Sequence, residues 1–305
     1  MKNPSMKRCS LRWLLCRGLM GCLAGFLATG GAGLASAQAL GPYKDRLFAY
    51  PSVLEQSADG AFLRLDYQER RDINARDDIP ERRARRQFVS TGVNRSQRAL
   101  TLNGPAGPVE LYEIGAAANA RFAVIFIHGR GGDRRLGADD WSFGGNFNRL
   151  KNLANENGGT YYVPSIPSFD ASGMAALSTT VQHIRTVSPG APVVIACGSM
   201  GSLLCFEAAD DGAIGAVLKG LVILGGPPSS AFAASRAVAG GIPIVFGHGS
   251  RDSVYAWEQQ LAVFERIRAS RSDYPARFVL FESGTHGTPI RMIDWRDSLN
   301  FILAN

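Results

Sequence analysis

From residue 120 onward the chain alternates short apolar runs with longer amphipathic stretches. The runs are Phe122–Ile127, Tyr161–Val163, Val193–Cys197, Leu221–Leu224, Ile242–Phe246 and Phe278–Phe281. They are almost free of polar side chains, as strands covered on both faces require. Helical patterns follow at Phe143–Asn155, Met174–Val187, Met200–Ala209, Ser229–Val238, Val254–Ala269 and Ile290–Leu303. Strands alternating with helices predict an α/β fold, with a mainly parallel sheet and right-handed crossovers. There is no internal repeat and no low-complexity segment.

The chain upstream reads differently. Short alternating runs at Phe62–Gln68, Gln87–Ser90, Arg98–Leu102 and Val109–Ile114 predict antiparallel strands at the N-terminal edge of the same sheet. Residues 38–60 carry the breakers Gly41-Pro42 and Tyr50-Pro51 and read as a loosely ordered leader. The length of 305 residues suits one large domain or two small ones, and the unbroken alternation favours a single domain over 61–305. Ten arginines and six acids lie between Arg64 and Arg98. Their interleaving predicts a solvated face with internal ion pairs ahead of a docking surface for anions.

The first 37 residues belong to targeting. Lys2, Lys7, Arg8 and Arg12 precede an apolar stretch from Leu14 to Leu34, and Ala35-Ser36-Ala37 supplies a small-x-small site. This is the layout of a secretory signal peptide cleaved after Ala37, with Ala39 as the second choice. Arg17 and several glycines speak against an uncleaved membrane span. A lipid-modified Cys22 is the weaker reading, since a long apolar tail would follow it. The expected location is therefore the periplasm or the outside of the cell, without stable membrane insertion. Losing 5 of the 33 basic residues leaves 28 against 26 acids, a net of +2 in place of +7. The basic balance belongs to the leader and does not argue for a nucleic-acid partner. Only Cys197 and Cys205 remain beyond it. One ends a strand and the other lies in the next helix, so two buried thiols are expected.

Four loops at strand ends could carry chemistry. The first is Ala196-Cys197-Gly198-Ser199-Met200-Gly201, between a strand and a helix. A serine in such a turn has a strained backbone and needs small neighbours two residues away. Gly201 meets that need on one side, and Cys197 occupies the other. The helix N-terminus and the Met200 amide would face a developing oxyanion. The bland alternative is a serine N-cap.

The second loop is His128-Gly129-Arg130-Gly131-Gly132. Its glycines let backbone amides approach a substrate oxygen, with Arg130 N–H first and Gly131 second. His128 is expected to brace the loop. A nucleotide loop is poorly matched, because the G-x-G-x-x-G spacing is absent.

The third loop is Gly247-His248-Gly249-Ser250-Arg251-Asp252, whose carboxylate could fix a histidine tautomer. The fourth is Glu282-Ser283-Gly284-Thr285-His286-Gly287, read as a mobile loop that swings the imidazole to the serine. The chain has four histidines, and His183 lies inside a helical pattern, so His286 is the expected base. Neither a His-x-x-x-His pair nor paired CxxC motifs occur, so no metal site is expected. Cys197 follows bulky Ile195 and is not expected to be a nucleophile.

Together the four loops resemble the α/β-hydrolase superfamily over about residues 108–304. Cys197-Gly198-Ser199-Met200-Gly201 is similar to the nucleophile elbow, with cysteine in place of the first glycine. The order Ser199, Asp252, His286 is that of the family. The resemblance implies about eight mostly parallel strands flanked by helices, and acyl transfer to water without a cofactor. The segment Gly225–Gly241 is too short for an extended lid. The loop from Arg130 to Trp141 is the longer cover, and Arg134, Arg135 and Trp141 are expected to contact substrate, the arginines through an anionic group. The leading expectation is an exported serine hydrolase of small or medium carboxylic esters. Thioester or amide hydrolysis would use the same residues. A non-catalytic binding protein on this fold and a surface-adhering protein are the readings from other classes.

Overall fold

Each of the six apolar runs forms a strand, and the six lie side by side in one sheet. The computed structural model describes residues 39–305. The expected signal peptide, its expected cleavage after Ala37 and the weaker reading of a lipid on Cys22 fall outside the described residues. The strands are β1 (Val53–Gln56), β2 (Phe62–Leu65), β3 (Asp77–Asp78), β4 (Arg83–Ala84), β5 (Gln97–Gly104) and β6 (Gly107–Gly115). They continue with β7 (Ala123–Ile127), β8 (Thr160–Pro164), β9 (Val193–Gly198), β10 (Leu218–Leu224), β11 (Ile244–Gly249) and β12 (Ala276–Phe281). Ten of them form the main sheet in the order β1-β2-β12-β11-β10-β9-β7-β8-β6-β5, and β3 with β4 make a small separate hairpin. The described residues all belong to one compact unit.

From β2 to β8 every pairing is parallel, while β6 pairs antiparallel with β8 and β5 with β6. The sheet thus exceeds the expected eight strands by two. The antiparallel edge was expected on one side and is divided between both, because β1 and β2 form a hairpin that docks on β12. Period two sorts the strand side chains onto two cores. In β7, Ala123, Ile125 and Ile127 join Leu177, Leu204 and Phe246 on one face. Val124 and Phe126 join Phe147, Leu150 and Trp295 on the other.

Three local readings need correction. Gln87–Ser90 is not a strand; residues 86–88 form a 3₁₀ turn. The Asn148 side chain takes the Ser90 backbone groups instead, accepting from its N–H and donating to its carbonyl. The helical pattern Ile290–Leu303 is broken, because Asp294 caps a new helix by accepting from the Arg296 and Asp297 amides. Of the stretch read as a leader, the described residues 39–60 are packed rather than loose. Leu40 is buried, and its amide donates to the Asn300 side chain. Asp45 pairs with Arg296 and with Arg149, whose side chain has no exposed surface. A buried guanidinium needs such partners, and this is what ties the segment down.

The arginine-rich segment makes internal pairs with Asp66, Asp72 and Asp78, as expected, and also reaches two acids outside it. Arg64 bonds Glu282, Arg71 bonds Asp66 and Asp72, Arg85 bonds Asp78, and Arg98 bonds Glu113.

Candidate active site

The carboxyl ends of parallel strands point to one rim of the sheet, where open α/β sheets place their ligands. Ser199 follows β9, Asp252 follows β11 and His286 follows β12. Ser199 has φ +52°, the left-handed region that a side chain rarely adopts. The turn closes only because its neighbours are small. A Cβ on Gly201 would stand 2.6 Å from the His128 carbonyl oxygen, and one on Gly129 would stand 2.9 Å from Ser199 Cβ. The His128–Gly132 loop and the serine turn therefore touch through glycine.

The position two before the serine carries the main surprise of the turn. Cys197 is disulfide-bonded to Cys205, with a Cα–Cα distance of 6.4 Å. The two buried thiols expected from the sequence are one cystine. The tight turn brings the helix Ser202–Ala208 back beside β9, within the span a disulfide allows.

The three side chains form one hydrogen-bonded chain. Ser199 Oγ lies 2.8 Å from His286 Nε2, and His286 Nδ1 lies 2.7 Å from Asp252 Oδ2. A carboxylate only accepts, so Nδ1 carries the proton and Nε2 is free to accept from the serine hydroxyl. Asp252 Oδ1 also accepts from the Val254 and Tyr255 amides, at 2.8 and 3.2 Å. Burial pushes the Asp252 carboxyl up, but these hydrogen bonds outweigh it and hold its pKa below the usual carboxylate range. The acid therefore stays ionised near neutral pH.

The histidine loop needs no swing. Gly284 N donates to Phe281 O, Arg251 N to Gly284 O, and Ser283 N to Ser250 Oγ. These bonds lock the loops after β11 and β12 together. The Tyr255 ring packs edge-on against the imidazole at 5.7 Å. His248 lies fully buried behind Asp252, with Nδ1 3.7 Å from Oδ2, and burial holds its pKa low.

His128 braces its loop as expected. The Ile166 amide donates to Nε2 at 3.0 Å, which leaves Nδ1–H to donate to the Gly129 carbonyl at 2.8 Å. Burial lowers its pKa, so it remains a neutral strut.

A cleft of about 520 Å³ opens over Ser199 and His286, and Arg130 and Met200 border it. Its apolar wall comes from Leu136, Phe143, Val254, Tyr255 and Ile290, none of which the sequence reading singled out. Val254 and Tyr255 follow two and three residues after Asp252, and that nearness was the available signal. Phe143 sits at φ +48°, a strained backbone for a bulky residue.

The three expected substrate contacts lie elsewhere. Arg134 pairs with Glu110 at 3.4 Å and covers the Tyr112 ring. Arg135 is held by Asp133, at the start of the short helix Arg134–Ala138. Trp141 lies under the Arg83 guanidinium at 4.0 Å, away from the cleft. Among the described residues, no cluster of His, Cys, Asp or Glu is arranged to hold a metal ion.

Solved structures share this architecture. An esterase from Pyrococcus furiosus superposes with a TM-score of 0.52 at 12% identity, covering 70% of this chain and 96% of that one. A protein of unknown function from Agrobacterium tumefaciens, described as a candidate α/β hydrolase, gives 0.50 at 14% identity over 67% and 91%. The fold is that of the α/β hydrolases. A Thermus thermophilus protein matches it equally, with 0.50 at 17% identity over 68% and 98%. No protein-family model and no curated protein sequence matches the chain. At such identities the shared α/β-hydrolase frame speaks for architecture, and the chemistry must be argued from the site itself.

Proposed function

We propose that the protein is a serine hydrolase that cleaves carboxylic esters through an acyl-enzyme on Ser199. One observation carries this reading: the hydrogen-bonded chain from Ser199 Oγ through His286 to buried Asp252, set at the mouth of a cleft. Surface serines do not acquire such partners by chance. His286 takes the serine proton as Oγ attacks the acyl carbon, and returns it to the departing alcohol. Asp252 fixes the imidazole tautomer and stabilises the imidazolium. The Met200 and Arg130 amides stabilise the oxyanion. Water then attacks the acyl-enzyme, with His286 again as base. Every step uses protein groups and water, so the reading needs no cofactor.

The apolar wall of Leu136, Phe143 and Ile290 and the modest cleft favour a small or medium ester as partner. The N-terminal 37 residues support export, to the periplasm or beyond, with cleavage after Ala37. Among the described residues no helix is long and apolar enough to cross a membrane.

A fluorophosphonate probe tests the reading directly. Wild type is expected to form an adduct at Ser199, and Ser199→Ala is expected to form none. A folded wild-type protein that stays unlabelled and inert toward esters, thioesters and amides would instead mark a binding protein built on this fold.

A further inference from the structure

Arg130 stands at the cleft without an acidic partner. It borders the cleft beside Ser199 and is exposed. Three arginines share this stretch of chain, and the other two are neutralised: Arg134 by Glu110 and Arg135 by Asp133. No ion pair among the described residues includes Arg130. No carboxylate lines the cleft either. The Asp252 side chain has no exposed surface and is engaged by His286 and two backbone amides. Among the residues that line the cleft, Arg130 is the one with a permanently charged side chain, and Leu136, Phe143, Val254 and Ile290 supply apolar surface.

Arginine stays protonated at every pH of interest, and its planar fork matches a carboxylate through two parallel hydrogen bonds. The apolar wall on one side of the cleft strengthens that attraction modestly over its value in open water, and salt screens the exposed side. An arginine without an acidic partner, on the rim of the cleft that opens over Ser199, can receive an anionic group of a substrate bound there. We propose that Arg130 selects esters that carry a carboxylate a few bonds from the scissile carbonyl, that is, monoesters of short dicarboxylic acids. This rests on the hydrolase reading of Ser199. The reaction is ordinary hydrolysis: the acyl C–O bond breaks, water supplies the new carboxyl oxygen, and the products are an alcohol and a dicarboxylate. Arg130 holds the carboxylate that the substrate already bears while Ser199 attacks the other end.

The positive field of Arg130 also favours the oxyanion of any ester. That contribution is common to all substrates and cancels in a ratio. The test is therefore a ratio of kcat/KM for monoethyl glutarate over ethyl pentanoate, followed by pH-stat. Wild type, Arg130→Gln and Arg130→Glu are compared at low and at high salt. Comparing variants removes the intrinsic reactivity difference between the two esters, and a general disturbance of the loop lowers both rates alike.

The expected wild-type ratio exceeds that of Arg130→Gln by about tenfold at low salt and shrinks at high salt, as for a partly exposed ion pair. Arg130→Glu is expected to drive the ratio lower still. Equal ratios in all three proteins would overturn the proposal while leaving the hydrolase reading intact. So would a fluorophosphonate adduct on Ser199 together with turnover of ethyl pentanoate alone. Absence of any adduct on the folded protein would remove the hydrolase reading, and this inference with it.

Discussion

Nδ1 of His286 stands 2.7 Å from Oδ2 of Asp252, and the Asp252 side chain has no exposed surface. This bond decides which imidazole nitrogen faces Ser199 as an acceptor. An amide in place of the carboxylate would present an N–H to Nδ1 and force the proton onto Nε2. Asp252→Asn is therefore expected to keep the fold and lose about 10⁴-fold in kcat, the size of a tautomer error in such a triad. Steady-state kinetics with a thermal melt check it. A loss of less than tenfold would show that Asp252 does not orient His286.

The φ of +52° at Ser199 gives a second expectation. Ser199→Ala and Ser199→Gly should both lose at least about 10³-fold in turnover, since either removes the proposed nucleophile. They should differ in stability. Alanine keeps the left-handed strain, whereas glycine adopts that backbone freely, so the glycine variant should be more stable by about 1 kcal/mol. Both lose the same hydrogen bond to His286, so the comparison isolates the backbone. Denaturant melts that rank alanine above glycine would contradict a strained elbow.

The cystine of Cys197 and Cys205 staples β9 to the helix that follows the serine. Closing this short loop restricts the unfolded chain, so the double alanine variant should lose about 2–3 kcal/mol of stability. It should also lose activity, because both anchors of the serine turn are loosened. Reductant should leave the double variant unchanged and affect wild type only once it unfolds, since both sulfurs are buried. A double variant as stable and active as wild type would refute the staple.

Arg134 and Arg135 lie on the cleft loop but turn their charges to Glu110 and Asp133. Their double alanine variant should retain the wild-type ratio of charged to uncharged ester turnover. A collapse of that ratio in this variant, with Arg130 intact, would move anion recognition from Arg130 to its neighbours.

The residues at the centre of the sheet were legible because their signals are local. A continuous apolar run marks a doubly covered strand, and Ser199, Asp252 and His286 each follow one directly. The sheet edge was hidden for the opposite reason. All four residues of β1 are exposed, so Val53–Gln56 has no period to read, and only backbone pairing with β2 defines it. The cleft wall combines Leu136 and Ile290 from two short helices with Phe143 and Val254 from the connections, and nothing short of the folded sheet brings them together. The cystine depended on how sharply the chain returns after Ser199. Arg134 and Arg135 misled because nearness in sequence to the glycine loop says nothing of where a long side chain turns.

Away from the cleft, Asp140 and Lys151 form a pair at 2.8 Å with both side chains nearly buried. Burial pushes the Asp140 carboxyl up, but hydrogen bonds from Asn94, Lys151 and Asn148 and the lysine charge outweigh it, so its pKa lies below the usual range. Burial lowers the Lys151 pKa in turn, and the three hydrogen bonds to the carboxylate decide for the ionic form. A carboxyl depressed on folding binds its proton more tightly in the unfolded chain. Its stabilising contribution is present in full above the unfolded value of about 4 and is lost as pH falls through the folded value. Asp140→Asn leaves the Lys151 ammonium buried beside a neutral group and should cost about 3 kcal/mol at pH 7. Below about pH 4 wild type approaches the same neutral state, so the gap between the two proteins should narrow. Urea melts on either side of that pH measure both terms. A gap that stayed constant would mean that Asp140 does not titrate with folding, and the pair would then owe its place to packing alone.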